Sequence, residues 1–417
     1  MTKVQVVEKI NFTKPAWLVA PERDRRQIEG IHVVILARNE ASIVSGTVRA
    51  VSMAMEPEDQ IHVVADHCMD ATAHSARVAG ATVHVRNDGG PAGKGQALKW
   101  WLQDTKSNST QDEIIVILDA DSIVAPNFFS SIRTRMARGE NVVQTRVEPV
   151  LRSTSIISCL AAYSESTEQR VNDALRAKLG WSVRLRGTGM VFRRGILERI
   201  CASLHTLVED IELTLQLGAE GEPIHFAHET YVADPKPNDQ DGAVRQRARW
   251  MKGQAQVVRS YFAQIVRLAA RGPAGWSLLS SILLKPKTLL IPIKASITAA
   301  AWGAFLTWGG IFSAIALIGT LSLFYDAGTF IYGVKYAPDR KEALRALALS
   351  PLYLIVWMRS LALSSVSDNN VWHRVRPINP DMPIVEKGFF ENLERYLSLN
   401  HNPRALAIQP VVADGGD

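Results

Sequence analysis

Short apolar runs alternate with stretches of helical character from residue 31 to about residue 145. The runs predicted to be strands are Ile31–Leu36, Ile61–Ala65, Ala81–Val85, Ile114–Leu118 and Val142–Thr145. The stretches between them are predicted to be helices that end near Met53, Ala79, Leu102 and Ala137. Strands that alternate with helices in this way predict an α/β domain built on a parallel, doubly wound sheet.

The strand Ile114–Leu118 runs directly into two carboxylates, Asp119 and Asp121. A continuous apolar run predicts a strand buried on both faces, and ligands of open α/β sheets bind beyond the carboxyl ends of strands. Side chains at i and i+2 of an extended chain share one face, so both carboxylates can hold one divalent cation. The alternative is a strand-end turn in which an Asp caps the following helix.

Polar residues also follow the second and third predicted strands. Asp66 can accept hydrogen bonds from a base or a ribose, and a helix-capping role is the equal alternative. Gly93-Lys94-Gly95 allows close backbone approach and adds a point charge suited to phosphate. The chain lacks GxxxxGK[ST] and has no GxGxxG after the first strand, which argues against an ATP-binding P-loop and a dinucleotide site.

A turn at Arg186–Gly189 precedes a short predicted strand, and Glu209 and Asp210 then begin a predicted helix. Acidic residues in a first turn are favoured by the helix dipole whatever the function. Asp210 is also a candidate general base, which requires a carboxylate within reach of an acceptor hydroxyl.

Three side chains that suit a diphosphate and a sugar ring share one face of a later helix. Gln246, Arg249 and Trp250 stand at i, i+3 and i+4. The alternative is a solvated basic face that includes Arg245, Arg247 and Arg249.

The C-terminal part predicts a membrane hairpin. No residue from Ala295 to Tyr325 is charged, and this stretch exceeds the roughly 20 residues of one span. The apolar flanks make room for two spans that turn at Trp308–Gly310, and basic residues on both sides favour an even number of spans. Leu344–Val366 contains Arg345 and Arg359 and predicts an interfacial helix.

Composition narrows the setting. The net charge of +6 suits an anionic substrate or membrane surface, and no dense basic run with aromatic residues indicates nucleic acid. Three widely spaced cysteines argue against a disulfide framework or a zinc site and fit a reducing compartment. The charged first thirty residues do not form a signal peptide, so the chain is expected to begin in the cytoplasm.

Taken in order, Asp66, Asp119–Asp121, Glu209–Asp210 and Gln246–Trp250 resemble the motifs of the family 2 membrane glycosyltransferases. That family includes the cellulose, chitin and hyaluronan synthases, and the resemblance covers roughly residues 30–260. It implies a GT-A fold (a Rossmann-like nucleotide-sugar domain), a nucleotide-sugar donor that is usually UDP-linked, and inversion to a β-linkage. Val208 departs from the pattern, because the family usually has Thr there.

The resemblance also implies a role for each matching residue. The donor side comprises Asp66 on the uracil or ribose, Asp121 and Asp119 on Mg²⁺ or Mn²⁺, and Arg249 on the diphosphate, with Lys94 added from its loop chemistry. Asp210 is the implied base with Glu209 as its neighbour, and Gln246 and Trp250 hold the acceptor.

These inferences predict an N-terminal segment (1–30), a GT-A domain (31–265), a transmembrane helical hairpin (280–336), and an interfacial helix with a cytoplasmic tail (340–417). The expected activity is an inverting, metal-dependent hexosyl transfer from a UDP-sugar to a lipid-linked or growing polysaccharide acceptor. The expected setting is exopolysaccharide or cell-surface glycan synthesis at the inner membrane, with the catalytic domain facing the cytoplasm and export-machinery subunits as partners. The alternative is a catalytically silent, nucleotide-binding scaffold subunit.

Overall fold

The protein is described by a computed structural model that covers residues 30–150, 156–235, 240–284, 287–337 and 340–366. The strands are β1 (Ile31–Ala37), β2 (Gln60–Asp66), β3 (Thr82–Arg86), β4 (Ile114–Asp119), β5 (Ile123–Val124), β6 (Val142–Val150), β7 (Met190–Arg193) and β8 (His225–Pro235). Within the described ranges they form one sheet with the order β3-β2-β1-β4-β7-β6-β8-β5.

The helices follow the predicted alternation in the first half of the chain. In order they are α1 (Val44–Ser52), α2 (Thr72–Val78), α3 (Lys94–Asp104), α4 (Phe128–Ala137), α5 (Ile156–Thr167), α6 (Ala174–Lys178), α7 (Arg194–Cys201), α8 (Glu209–Glu220), α9 (Gln240–Ser260), α10 (Phe262–Ala269), α11 (Pro273–Leu283), α12 (Lys287–Trp308), α13 (Ile311–Gly333), α14 (Arg340–Ala348) and α15 (Ser350–Val366). A π-helical segment, Glu168–Asp173, joins α5 to α6.

Half of the sheet matches the predicted parallel arrangement. Strands β3, β2, β1 and β4 are parallel neighbours, and Val33 of β1 lies opposite Ile61 of β2 and Val116 of β4. Both faces of β1, β2 and β4 are covered by helices, which is why most of their residues are apolar, whereas β3 at the edge of the sheet is partly exposed. Their carboxyl ends therefore meet at one edge of the sheet, where Asp66 and Asp119 lie.

The other half differs from a wholly parallel sheet. The predicted short strand after Arg186–Gly189 is β7, and it pairs antiparallel with both β4 and β6. Strand β6 then runs parallel to β8, and β5 closes the edge antiparallel to β8. A four-residue strand carries no local signal of its direction, because its neighbours come from distant parts of the chain.

Two apolar layers hold the helices on the sheet. On one face, Val48 of α1 and Phe128 and Ile132 of α4 are fully buried, and on the other face Leu98 of α3 and Leu213 of α8 are equally buried. Each such side chain contributes about 1.5–3 kcal/mol of transfer free energy when it is fully buried. The edge that carries the polar residues is thus a rigid support.

The C-terminal helices form the predicted hairpin. Helix α12 and the segment Ile311–Tyr336 are each long and apolar enough to cross a membrane. The turn between them uses Gly309 and Gly310, both with positive φ, as only glycine does readily. The two charges inside the apolar stretch pair across the hairpin, with Lys294 Nζ 2.5 Å from Asp326 Oδ2.

The predicted interfacial helix is two helices, α14 and α15, separated at Leu349. Tyr353 and Val356 of α15 are buried against Leu160 and Val244, while Ile355 on the opposite side is exposed. Contact with a membrane surface stays a prediction for α15. The predicted N-terminal segment, apart from Gly30, and the predicted tail beyond Val366 lie outside the described residues.

Candidate active site

A cleft of about 380 Å³ opens at the carboxyl ends of β1 and β4. Its walls come from the start of α8, from α9, and from the first turn of α12. Eight of the residues singled out from the sequence line it, namely Lys94, Asp119, Asp121, Glu209, Asp210, Gln246, Arg249 and Trp250. The fold thus gathers side chains that are up to 156 positions apart in the chain.

Asp119 ends β4, and its carboxylate forms an ion pair with Lys94 Nζ. Burial alone would lower the pKa of Lys94, but Asp119 and Glu209 raise it to about 12. The backbone N–H of Asp119 donates to Thr188 Oγ1 at 3.2 Å, so the turn before β7 braces this loop. Neither acid caps a helix, because α4 begins only at Phe128.

The pair Asp119 and Asp121 fits a magnesium or manganese ion that shares its ligands with a substrate. No group of three or more His, Cys, Asp or Glu side chains within the described ranges is arranged to hold a metal by itself. Mg²⁺ is usually bound by one or two carboxylates together with phosphate oxygens and water, rather than by a cage of protein ligands. The Lys94 ammonium shows that a cation is stabilised at this position.

Glu209 and Asp210 occupy the first turn of α8, as predicted. A different acid satisfies the backbone N–H groups before this helix. The Glu212 carboxylate accepts hydrogen bonds from the N–H of His205 at 3.1 Å and from the N–H of Thr206 at 2.9 Å. Glu209 and Asp210 instead line the cleft. Burial raises the pKa of Glu209 to about 7, with Asp210 acting in the same direction and Lys94 and Arg249 against it.

The predicted face of α9 points into the cleft, because Gln246, Arg249 and Trp250 all line it. Arg249 Nη1 donates to the carbonyl oxygen of Leu207 at 3.0 Å, which ties α9 to the residues just before α8. Trp250 keeps 40% of its surface exposed and so remains accessible to a ligand.

The alternative of a solvated basic face on α9 does not describe its arginines. Arg247 is only 5% exposed and lies against the rings of Tyr353 and Trp357, 5.1 and 5.5 Å from their centroids. Arg245 is exposed, whereas Arg249 is half-buried. The three arginines of this stretch therefore have three different environments.

Asp66 does not line the cleft, and it does not cap a helix. Its buried carboxylate accepts bonds from Arg86 Nη1, His67 Nδ1 and the N–H of Gly93, each at 2.8 Å. The bond to Gly93 holds the loop that carries Lys94 into the cleft. Asp66 is thus a positioning residue in this structure, and its contact with a base or ribose stays a prediction.

Several cationic residues that line the cleft were not singled out from the sequence as site residues, among them Arg38, Arg184, Arg186 and Lys287. Arg184 and Arg186 precede the turn before β7, and Lys287 begins α12. The available signal was an Arg-x-Arg pair next to Gly187, whose side chains share one face of an extended segment. Lys287 is one of the basic residues that precede the predicted membrane hairpin, so its charge is accounted for without a site.

The chain is similar to solved structures at low identity. A mannosyltransferase from Pyrobaculum calidifontis, solved with GDP-mannose and Mn²⁺, is 16% identical with a TM-score of 0.45, covering 81% of this chain and 92% of that one. Glucosyl-3-phosphoglycerate synthase from Mycobacterium tuberculosis, solved with Mn²⁺, UDP-glucose and phosphoglyceric acid, is 23% identical with a TM-score of 0.39, covering 57% and 84%. No curated protein matches the chain.

The chain also matches a protein-family model. The model described as "Glycosyltransferase like family 2" matches residues 29–253, which is more than half of the chain and includes all the predicted site residues. The predicted GT-A class of α/β fold is confirmed by this match together with the observed sheet and C-terminal helices. The chain therefore belongs to glycosyltransferase-like family 2, whose members use nucleotide sugars.

Proposed function

We propose that this protein is an inverting, metal-dependent transferase that moves a hexose from a UDP-sugar to an acceptor at a membrane surface. The observation that carries the proposal is the extent of one cleft. Its lining includes Asp119 and Asp121, which we assign to the donor end, and Asp210 and Lys287, which we assign to the acceptor end; Lys287 is also the first residue of a candidate membrane span. A donor bound at the carboxylates and an acceptor held by a membrane can therefore meet in it.

The donor end is suited to the leaving diphosphate. Lys94 of α3 and Arg249 of α9 both line the cleft, and both lower the pKa of Glu209 against the effect of burial. Fixed positive charges in a partly desolvated site offset the negative charge that grows on a leaving group. Mg²⁺ or Mn²⁺ held by Asp119 and Asp121 would supply Lewis-acid stabilisation of the same diphosphate.

The acceptor end supplies the base. The electrostatic neighbours of Glu209 include Lys94 and Arg249, whereas Asp210 interacts with Arg184 on the other side. Asp210 is therefore assigned to the acceptor hydroxyl, whose proton it takes as the oxygen attacks the anomeric carbon and the bond to the diphosphate breaks. Attack from the face opposite the leaving group inverts the configuration to a β-linkage.

Gln246 and Trp250 complete the acceptor side. An amide can hydrogen-bond sugar hydroxyls, and an indole ring gives a flat apolar surface for a pyranose. Both residues lie on the wall of the cleft that α9 forms. The proposal includes a closer relationship to the cellulose, chitin and hyaluronan synthases. It also includes a role in exopolysaccharide or cell-surface glycan synthesis, with export-machinery subunits as partners.

The orientation follows from charge. Helices α12 and α13 are antiparallel, so Lys287 at the start of the hairpin and Lys335 just after it lie at the same end. The positive-inside rule places that end, and with it the catalytic domain, on the cytoplasmic side of the inner membrane.

The test is product analysis with the purified full chain. The protein in lipid nanodiscs is incubated with a panel of UDP-sugars, Mg²⁺ or Mn²⁺, and total membrane lipid, and products are identified by mass spectrometry. A glycosylated lipid or oligosaccharide that requires Asp210 supports the transferase. UDP binding without any product, in the wild type and in Asp210→Asn alike, would support the silent scaffold instead.

A further inference from the structure

Two arginine side chains lie in the cleft with hydrogen-bonding capacity that the described residues leave unused. Arg186 has a side chain only 2% exposed, and its Nη2 pairs with Asp173. Its Nε and Nη1, and the Nε of Arg184, are buried without a hydrogen-bond partner among the described residues. Both arginines line the cleft. Leaving such donors unsatisfied is costly, so a ligand that accepts from them is expected.

Two of the three carboxylates that raise the pKa of Arg186, Asp173 and Glu168, already bond to other groups. Asp173 uses one oxygen for Arg186 and the other for Arg176 Nη1, at 2.7 Å. Glu168 is bonded to Asn172 Nδ2 at 2.8 Å and to Arg176 Nη1 at 3.3 Å. These acids keep Arg186 charged, since they raise its pKa against the effect of burial.

Arg184 lacks a comparable partner. Burial and the charge of Arg186 lower its pKa, and Asp210, Glu168 and Asp173 only partly oppose this. An anion bound between the two guanidinium groups would remove their mutual repulsion. Arginine is suited to phosphate, because its N–H groups form charge-assisted bonds to several phosphate oxygens at once.

The positions of these arginines are fixed by the surrounding fold. The backbone N–H of Arg186 donates to Gln144 Oε1 at 2.9 Å, which anchors the segment to β6. Gly187 follows with a φ of +80°, and a side chain there would approach Glu209 Oε1 at 3.9 Å. The arginines thus sit directly beside the acids of α8 and are pre-organised for a ligand.

We propose that Arg184 and Arg186 bind a phosphate group of the acceptor, at the part of the cleft between Asp210 and the start of α12. Lys287 lines the same cleft and adds a third cation on the membrane side, although it also lies 3.7 Å from Glu168 and 3.6 Å from Asp326. This inference rests on the proposed transferase function, and it narrows the acceptor to a phosphorylated one. The phosphate is either a lipid headgroup or part of a soluble sugar phosphate.

The first experiment measures binding and needs no turnover. Melting temperatures of the full chain in detergent are recorded against increasing inorganic phosphate, a long-chain alkyl phosphate, and glucose 6-phosphate. Stabilisation is expected in the wild type, with an affinity at least about tenfold weaker in Arg184→Gln. Arg245→Gln is the matched control, because that arginine is exposed on α9, and it should bind like the wild type.

The variants are chosen so that a loss of phosphate binding can be distinguished from a loss of folding. Arg184 forms no ion pair with a carboxylate in the described structure, so Arg184→Gln should melt no lower than wild type in the absence of phosphate. Arg186→Lys serves as a second variant that keeps the charge opposite Asp173. Tighter binding of the alkyl phosphate identifies a lipid headgroup as the source, and tighter binding of glucose 6-phosphate identifies a soluble acceptor.

The second experiment separates this inference from the proposed function. In an active preparation, Arg184→Gln should raise the KM for acceptor by about tenfold or more while the affinity for UDP is unchanged. Transfer with an unaltered acceptor KM, or phosphate binding that is absent or equal in wild type and Arg184→Gln, would overturn the phosphate site and leave the transferase intact. Phosphate binding that depends on Arg184, with no sugar transfer from any donor, would instead remove the transferase and keep the site.

Discussion

At the scale of residues, the charged side chains of the cleft form two groups that interact with different partners. Lys94 contacts Asp119 and interacts with Glu209 and Arg249, whereas Arg184 interacts with Asp210. Two adjacent acids at the start of one helix thus face different partners. Because Glu209 and Asp210 have different partners, the contribution of each acid to catalysis can be measured separately.

The first prediction concerns the base. Asp210→Asn should lower kcat by about 10²–10⁴-fold, because a general base contributes that much, while UDP affinity changes little. Glu209→Gln should reduce kcat less if Glu209 only supports the donor side. Small and similar losses of stability, about 0.3–1 kcal/mol for either change, with near-normal turnover, would mean that both acids act only as helix-start charges. Steady-state kinetics and melting temperatures of both variants decide between these outcomes.

The second prediction follows from the pKa of Glu209, which burial raises from 4.5 to about 7. The folded protein then binds a proton that the unfolded chain has already released, so the contribution of Glu209 to stability is fully present below pH 4.5 and is lost as pH rises through 7. The loss of this contribution is on the order of 3 kcal/mol. Glu209→Gln should flatten the melting temperature between pH 5 and pH 8, roughly.

Asp210→Asn is the control for that experiment. It removes a neighbouring charge that raises the pKa of Glu209, so the midpoint of the pH dependence should shift to lower pH without disappearing. If the melting temperature of the wild type depends on pH in the same way as that of Glu209→Gln, the raised pKa of Glu209 would be contradicted.

The third prediction concerns the metal. A chelator should abolish transfer, and Mg²⁺ or Mn²⁺ should restore it, because Asp119 and Asp121 are suited to one hard cation bound to the diphosphate. Asp121→Asn should weaken metal-dependent UDP binding, measured by calorimetry, without lowering the melting temperature appreciably. Full activity in excess chelator would rule out the metal site.

At the scale of elements, close packing sets the relation between α8 and α9. A side chain at Gly253 of α9 would lie 2.6 Å from Val208 Cγ1, so the two helices approach as closely as glycine allows. Val208, where the family usually has Thr, is buried in an apolar cluster with Ile211 and Val257. The departure therefore preserves a packed contact and leaves the adjacent carboxylates in place.

The helical hairpin is joined to the catalytic domain through polar contacts. Tyr325 donates a hydrogen bond to Asn172 Oδ1 at 2.8 Å, and Lys287 Nζ lies 3.7 Å from the Glu168 carboxylate. Asn172 and Glu168 both belong to the π-helical segment. That segment leads to Asp173 and so to Arg186 in the cleft. The hairpin and the acceptor end of the cleft are thus supported by the same residues.

The fourth prediction concerns the topology of this hairpin. Reporter fusions after Leu283, before the first candidate span, and after Arg345 should both report the cytoplasm, because basic residues flank the hairpin on both sides. A fusion near Gly309, at the turn, should report the opposite side. A periplasmic signal from the fusion after Arg345 would mean that only one helix crosses the membrane.

At the scale of the whole molecule, the cleft is built where two parts of the chain meet. The sheet contributes Asp119, and helices that follow it by more than 150 residues contribute Lys287, Tyr353 and Trp357. Arg247 packs on the two aromatic rings and so fixes α15 against α9. This continuity between a nucleotide-sugar domain and apolar helices is the observation that supports our proposal of an acceptor at a membrane.

The sequence by itself determined the features that depend on local pattern. Apolar runs that end in acids predicted β4 and the placement of Asp119 and Asp121, and helical spacing predicted that Gln246, Arg249 and Trp250 share a face. The uncharged stretch with its paired glycines predicted the hairpin and its turn. These are properties of neighbours within about twenty residues, so periodicity and turn chemistry are sufficient to find them.

Only the tertiary structure decided which distant groups meet. The antiparallel entry of β7 between β4 and β6 depends on pairings that no local pattern specifies. The use of Asp66 to hold Arg86 and Gly93, and the burial of Arg184 and Arg186 in the cleft, depend likewise on side chains from separate elements. Whether an ionisable group is a ligand-binding residue or a support is set by burial and by its partners, and both arise only when the elements pack.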